Sequence, residues 1–157
     1  MNAPEWLRDI GWGLIAVIAH VTIFRHLNFF GAGPDLVMVY LLWILGTRDR
    51  TGNIVVAAVL AFTQDALLDT WGLNLFSKTL LAFLVTNMVP KVTETRLLFA
   101  QVLSASFLLC LVHNFFFWIV ASFTELFTPN VHFLVFVIGG GLFSAIVASF
   151  IYLFRTS

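Results

Sequence analysis

The residues of this chain with the greatest chemical capacity are two carboxylates, a lysine and a histidine–asparagine pair, all set among apolar neighbours. The stretch "FTQDALLDTWG", Phe62 to Gly72, puts Asp65 and Asp69 four residues apart and therefore on one face of a helix. Lys78 follows in the next apolar segment, and "VHNFFFW" sets His113 and Asn114 in the middle of another. Acids and an imidazole within apolar helices are the components of a proton or cation site. They also have a structural use. A carboxylate caps a helix or pairs with a base such as Lys78, and a His–Asn pair hydrogen-bonds between helices at about 0.6 kcal/mol. Lys78 alone also reads as a snorkelling lysine near a helix end. Asp65 is the residue hardest to explain as packing. The expectation is that it hydrogen-bonds across the helices, to His113–Asn114 or to Lys78.

Other chemistry lacks its parts. His20 and His26 lie in and after the first apolar segment and His132 opens the last, with no pair at metal-ligand spacing, so neither metal nor cofactor is expected. Ser77, Ser104, Ser106, Ser122, Ser144 and Ser149 have no adjacent His–Asp signature, so no catalytic residue is assigned and no enzyme activity expected. Cys110, the single cysteine, sits in an apolar run as a small hydrophobic filler.

The elements that must hold these residues follow from composition. Of 157 residues, 61% are hydrophobic and 10% charged, and the mean hydropathy is +1.00. A soluble domain carries roughly 25% charged residues, so this composition belongs to an integral membrane protein in contact with lipid. Zero formal net charge gives no sign of a nucleic-acid partner. The opening "MNAPEWLRDIGW" lacks a basic region and a small-residue cleavage site, so the first apolar segment is expected to stay as an anchor.

Punctuation by polar residues, glycine and proline predicts about six spans in one domain, at 10–27, 34–46, 54–69, 75–89, 97–123 and 131–154. Their apolar runs are continuous, which favours an all-α bundle over a barrel. Crossing the hydrocarbon layer takes about 20 helical residues, and the second span covers only about 20 Å. "LNFFGAGPD" is therefore expected to enter the bilayer as irregular backbone shielded by protein or a watery cavity, with Pro34 in the first helical turn. The expected shape is a compact bundle with an indented outer face. Arg8, Arg48, Arg50, Lys91, Arg96 and Arg155 fall on one side and only Arg25 and Lys78 on the other, which predicts both termini in the cytoplasm. Asp69 then lies near the outer end of the third span, and Asp65 one turn deeper. In the last span Gly140, Ser144 and Ala148 form one small-residue stripe and Gly141, Ala145 and Ser149 another, which suits close helix packing. Trp6, Trp12 and Trp71 fit interfacial belts.

The stretch "GPDLVMVYLLWILGTRDRTGNIVVAAVLAFTQDALLDTWGLNLFSKTLLAFLVTNMVPK" resembles the rod-shape-determining membrane protein family, MreD. The resemblance lies in Pro34-Asp35-Leu36 opening a short span, Arg48 and Arg50 in a basic turn, Leu67-Leu68-Asp69 ending the next span, and the turn glycine Gly72. It covers residues 33 to 91 in detail and the flanks only as apolar spans. Gln64 and Asp65 stand where the family often has glycine, so the family does not explain Asp65. The resemblance implies a non-catalytic component of the bacterial cell-elongation machinery in the cytoplasmic membrane, with a fold similar to the S-components of energy-coupling-factor transporters. Its implied partners are a bitopic MreC-like protein and, directly or through it, a peptidoglycan glycosyltransferase and a class B penicillin-binding transpeptidase. On this scaffold reading Pro34, Asp35, Leu36, Asp65, Asp69, Trp71 and Gly72 shape the receiving surface. Two alternatives stay open: an S-component-like subunit that binds a vitamin-sized molecule, and a proton- or ion-coupled protein using Asp65, Asp69 and His113.

Overall fold

Apolar runs in a lipid setting leave backbone N–H and C=O groups no partner but one another, and the chain answers with helices. The computed structural model describes residues 5–27, 32–88, 99–123 and 133–156. Helix α1 (Glu5–Thr22) ends in a 3₁₀ turn (Phe24–His26). It is followed by α2 (Leu36–Leu45), α3 (Arg50–Leu68), α4 (Leu73–Val85) and α5 (Phe99–Phe123), and a π-helical turn (Val135–Gly139) leads into α6 (Gly140–Thr156). No strand occurs among the described residues.

Four stretches are long and apolar enough to cross a membrane: Glu5–His26, Arg50–Leu68, Phe99–Phe123 and Val135–Phe154. The helices Leu36–Leu45 and Leu73–Val85 are shorter, at about 15 and 20 Å. The first of these is the short second span that the sequence predicts. The first helix begins at Glu5 rather than at 10, because Asp9 is buried and held there by Arg48. Parts of the expected 75–89, 97–123 and 131–154 spans fall outside the described residues, as do Lys91, Arg96 and His132.

Helix α2 is apolar on every side, and a helix of that kind belongs inside. It buries Val37, Met38, Val39, Leu41, Ile44 and Leu45 and touches α1, α3, α4, α5 and α6. Val37, Leu41 and Ile44 meet Val17, Val56 and Leu60 in one core cluster. Met38, Leu81 and Cys110 form another, so Cys110 is the filler expected of it. Phe62, Phe83, Ile138 and Phe150 are exposed, as suits helices whose outer surface meets lipid.

Helices α5 and α6 approach closely. A methyl group added at Gly141 would lie 3.4 Å from the Leu111 backbone nitrogen. Ser144, Ala145 and Ser149 are buried with it, so the small-residue stripe faces inward.

One end of the helices is tied by charge. Arg48 meets Asp9 through two contacts, at 2.6 and 3.1 Å, and also pairs with Glu5. Hydrogen bonding to Asp9 raises the Arg48 guanidinium above its ordinary pKa, against the opposing effect of burial. The Tyr40 hydroxyl donates to the Asp9 carbonyl at 2.7 Å. Asn53 Nδ2 donates to the Arg48 carbonyl at 3.3 Å and to Thr86 Oγ1 at 3.2 Å. Helices α1 to α4 are thereby joined at the Arg48 end.

Candidate functional site

The opposite end, where α2 and α4 begin, collects the remaining buried polar residues. Asp35 is the N-cap of α2: its Oδ1 accepts from the Met38 N–H at 3.0 Å, which satisfies a first-turn donor. Its own N–H donates to Ser144 Oγ at 3.0 Å. Pro34 is buried just before this cap rather than in the first helical turn, because Asp35 takes the capping position. Residues 32–35 are non-helical, and Ala32 and Pro34 are covered by protein, as irregular backbone at this depth requires.

The second Asp35 oxygen, Oδ2, lies 2.6 Å from Lys78 Nζ and 3.6 Å from His113 Nε2. The first contact is a charge-assisted hydrogen bond. The second exceeds hydrogen-bond distance. Lys78 is 1% exposed, which rules out the snorkelling geometry. Its counter-ion is Asp35, not Asp69 or Asp65. Lys78 Nζ also donates to Asn74 Oδ1 at 2.5 Å.

Asp65 bonds elsewhere than expected. Its Oδ1 accepts from Thr70 Oγ1 at 2.5 Å, Asn74 Nδ2 at 2.9 Å and the Asn74 N–H at 3.0 Å, and its Oδ2 accepts from the Leu75 N–H at 2.8 Å. His113, Asn114 and Lys78 are not its partners. The reason is local. The N-cap position of α4 is Gly72, which has no side chain to offer the first-turn donors. Asp65, in the last turn of α3, supplies the missing acceptor, and its charge suits the positive end of the α4 dipole. This leaves Asp65 fully engaged.

The turn between α3 and α4 needs the left-handed region three times, with φ of 57° at Asp69, 45° at Trp71 and 89° at Gly72. Glycine takes that conformation freely and aspartate tolerates it, whereas tryptophan rarely does. The turn leaves Trp71 85% exposed. Asp69 is exposed as well.

Asn114 also has a local task. The π-helical turn before α6 displaces carbonyls from the regular ladder, and Asn114 Nδ2 donates to those of Val137 at 3.3 Å and Phe136 at 3.5 Å. Gly140 makes room for it, since a methyl group there would lie 3.0 Å from Asn114 Nδ2.

These elements enclose a cleft of about 280 Å³ at the Asp35 end. Its polar wall is His20, Arg25, Asp35, Gln64, Thr70, Asn74, His113 and Asn114, and Phe24, Leu68, Phe117 and Phe136 supply most of its apolar wall. Among the described residues, three buried polar atoms of these lining side chains have no hydrogen-bond partner: Gln64 Oε1, His113 Nδ1 and His20 Nδ1. Among the described residues, no group of three or more His, Cys, Asp or Glu side chains could hold a metal ion.

Sequence reasoning singles out Asp35 and Lys78 but does not join them, and it misses Gln64 and His20 as lining. The signal was available: Asp35 begins α2 and Lys78 lies in the second turn of α4, so both stand near the same end of their helices. Asp9 was also missed, since its charge lies beyond the predicted start of the first span. No family model, curated protein or solved structure matches this chain.

Proposed function

We propose that this protein is a non-catalytic scaffold of the bacterial elongation machinery, receiving a bitopic MreC-like partner at its Asp35 end. On this reading it is a compact six-helix bundle similar to S-components, lying in the cytoplasmic membrane with both termini inside. Through that partner, or directly, it positions the wall-synthesis glycosyltransferase and the class B transpeptidase.

The observation that carries the reading is where the resembling residues meet. Pro34–Leu36 opens α2 and Asp69–Gly72 closes α3, and the chain Asp35–Lys78–Asn74–Asp65 links the two segments. A firm polar framework thus underlies Trp71, and exposed aromatic residues on rigid supports make good interface anchors. The charge pattern supports the orientation. Lys78 is neutralised by Asp35, so it drops out of the outer basic count, while Arg48 and Arg50 sit at the other end.

A photo-crosslinking amino acid at position 71, installed in living cells, tests the reading. An adduct with a single-span protein carrying an outer domain is expected. Adducts only with ATPase-bearing transporter subunits would favour the second reading, a subunit that binds a small molecule, to which the cleft lends support.

A further inference from the structure

We propose that the Arg48 end binds one anionic phospholipid, its phosphate on Arg50 and an acyl chain along the outer face of α4. Helix α3 begins at Arg50 and is long and apolar enough to cross a membrane. Its 19 residues rise about 28 Å, close to the ~30 Å hydrocarbon layer. Its first residue therefore stands at headgroup level.

The two arginines of this turn are held differently. Arg48 is neutralised by Asp9 and Glu5. Arg50 is exposed, and among the described residues no carboxylate lies within ion-pair distance of it. The neighbouring Asp49 carboxylate is turned to the Gly52 N–H, at 3.3 Å, as the N-cap of α3. What fixes Arg50 is a ring: its guanidinium carbon lies 4.3 Å from the ring centroid of Phe83, in the last turn of α4. A cation–π contact orients the guanidinium but uses none of its five N–H donors.

The ring beneath it faces lipid. Phe83 is 50% exposed, and Phe76, two helical turns away on the same face, is 49% exposed. These rings carry the apolar surface from under the guanidinium toward the hydrocarbon interior. A planar donor fork at headgroup level fits two oxygens of one phosphate, which Arg grips more firmly than a point charge would. The ligand that satisfies both parts is a phosphodiester of net negative charge joined to acyl chains. Phosphatidylcholine carries its own cation beside the phosphate and leaves the guanidinium charge without a counter-ion. Inorganic phosphate has no chain to lie on the rings.

The test uses the full chain in neutral detergent micelles, titrated with phosphatidylglycerol or with phosphatidylcholine of the same chain length. Bound lipid is counted by native mass spectrometry. One phosphatidylglycerol is expected to bind roughly tenfold more tightly than phosphatidylcholine. Arg50→Gln should remove the preference. Phe83→Leu, which keeps the surface apolar but removes the ring, should reduce it, and decides the matter if Arg50→Gln does not fold. Arg8→Gln alters another exposed base, one residue before the Asp9 that Arg48 holds, and should leave the preference intact. The proposal is overturned if the two lipids bind the parent equally, or if folded Arg50→Gln or Phe83→Leu keeps the full preference. Loss of the preference in Arg8→Gln as complete as in Arg50→Gln would also overturn it, since general surface charge would then explain the binding. None of these results bears on capture of a membrane partner, which stands on Trp71 at the opposite end.

Discussion

A lysine with no exposed side-chain surface has no water to hold its charge, so Lys78 depends on Asp35 and Asn74. Removing one member of a buried pair leaves the other uncompensated and costs about 3–5 kcal/mol, more than the pair itself is worth. Lys78→Met is therefore expected to lower the unfolding free energy by about that amount, measured by denaturant unfolding in mixed micelles. Asp35→Asn combined with Lys78→Met should recover part of the loss, because no lone charge remains. A double variant as unstable as the sum of the two singles would sink this account of the pair. Asp65 is expected to act through α4. Asp65→Leu strips acceptors from the Asn74 and Leu75 N–H groups, so hydrogen exchange at these amides should quicken while those of α1 hold. The sequence made Asp65 conspicuous and left its partner unread. Periodicity says which face of a helix a residue occupies, but not which end of the next helix a tight turn brings beneath it. Gln64 was less legible still, since an uncharged side chain beside an acid carries no compositional signal.

Between elements, the distances that matter are set by glycine. Gly141 touches the backbone of α5, and a methyl group at Gly13 would overlap the Leu60 side chain, whereas Gly11 faces open space. Gly141→Leu should push α6 away from α5 and destabilise by roughly 1–3 kcal/mol or more, as overpacking does. Gly11→Ala should instead stabilise by about 0.5–1 kcal/mol through helix propensity alone. Thermal unfolding of both variants reads the contrast, and equal shifts of the same sign would contradict it. The short helix α2 was legible because length between punctuation marks is a one-dimensional quantity. The π-helical turn before α6 was not. It depends on Asn114 of α5 meeting the displaced carbonyls, a pairing between residues more than twenty positions apart.

Across the whole molecule, two charged ends face away from each other along α2, with Arg48, Asp9 and Glu5 at one and Asp35 and Lys78 at the other. If basic residues mark the cytoplasm, cysteine at Arg50 should react with a membrane-impermeant maleimide only after the cells are opened, and cysteine at Asp69 in intact cells. Cys110 is 1% exposed and should give little background. The reverse labelling pattern would invert the topology and put the Asp35 end in the cytoplasm. Membrane character was plain from composition, because no arrangement of so few charges covers a water-facing surface. The functional proposal rests on the motif residues between 33 and 91, of which Pro34–Leu36 and Asp69–Gly72 lie at one end and Arg48 and Arg50 at the other. The most direct measurement of the central proposal is native mass spectrometry of the protein released gently from its own membranes. A complex with a single-span protein bearing an outer domain, lost in Trp71→Ala and kept in Trp12→Ala, is the expected result. A protein that leaves the membrane alone, or with ATPase subunits, would contradict the scaffold.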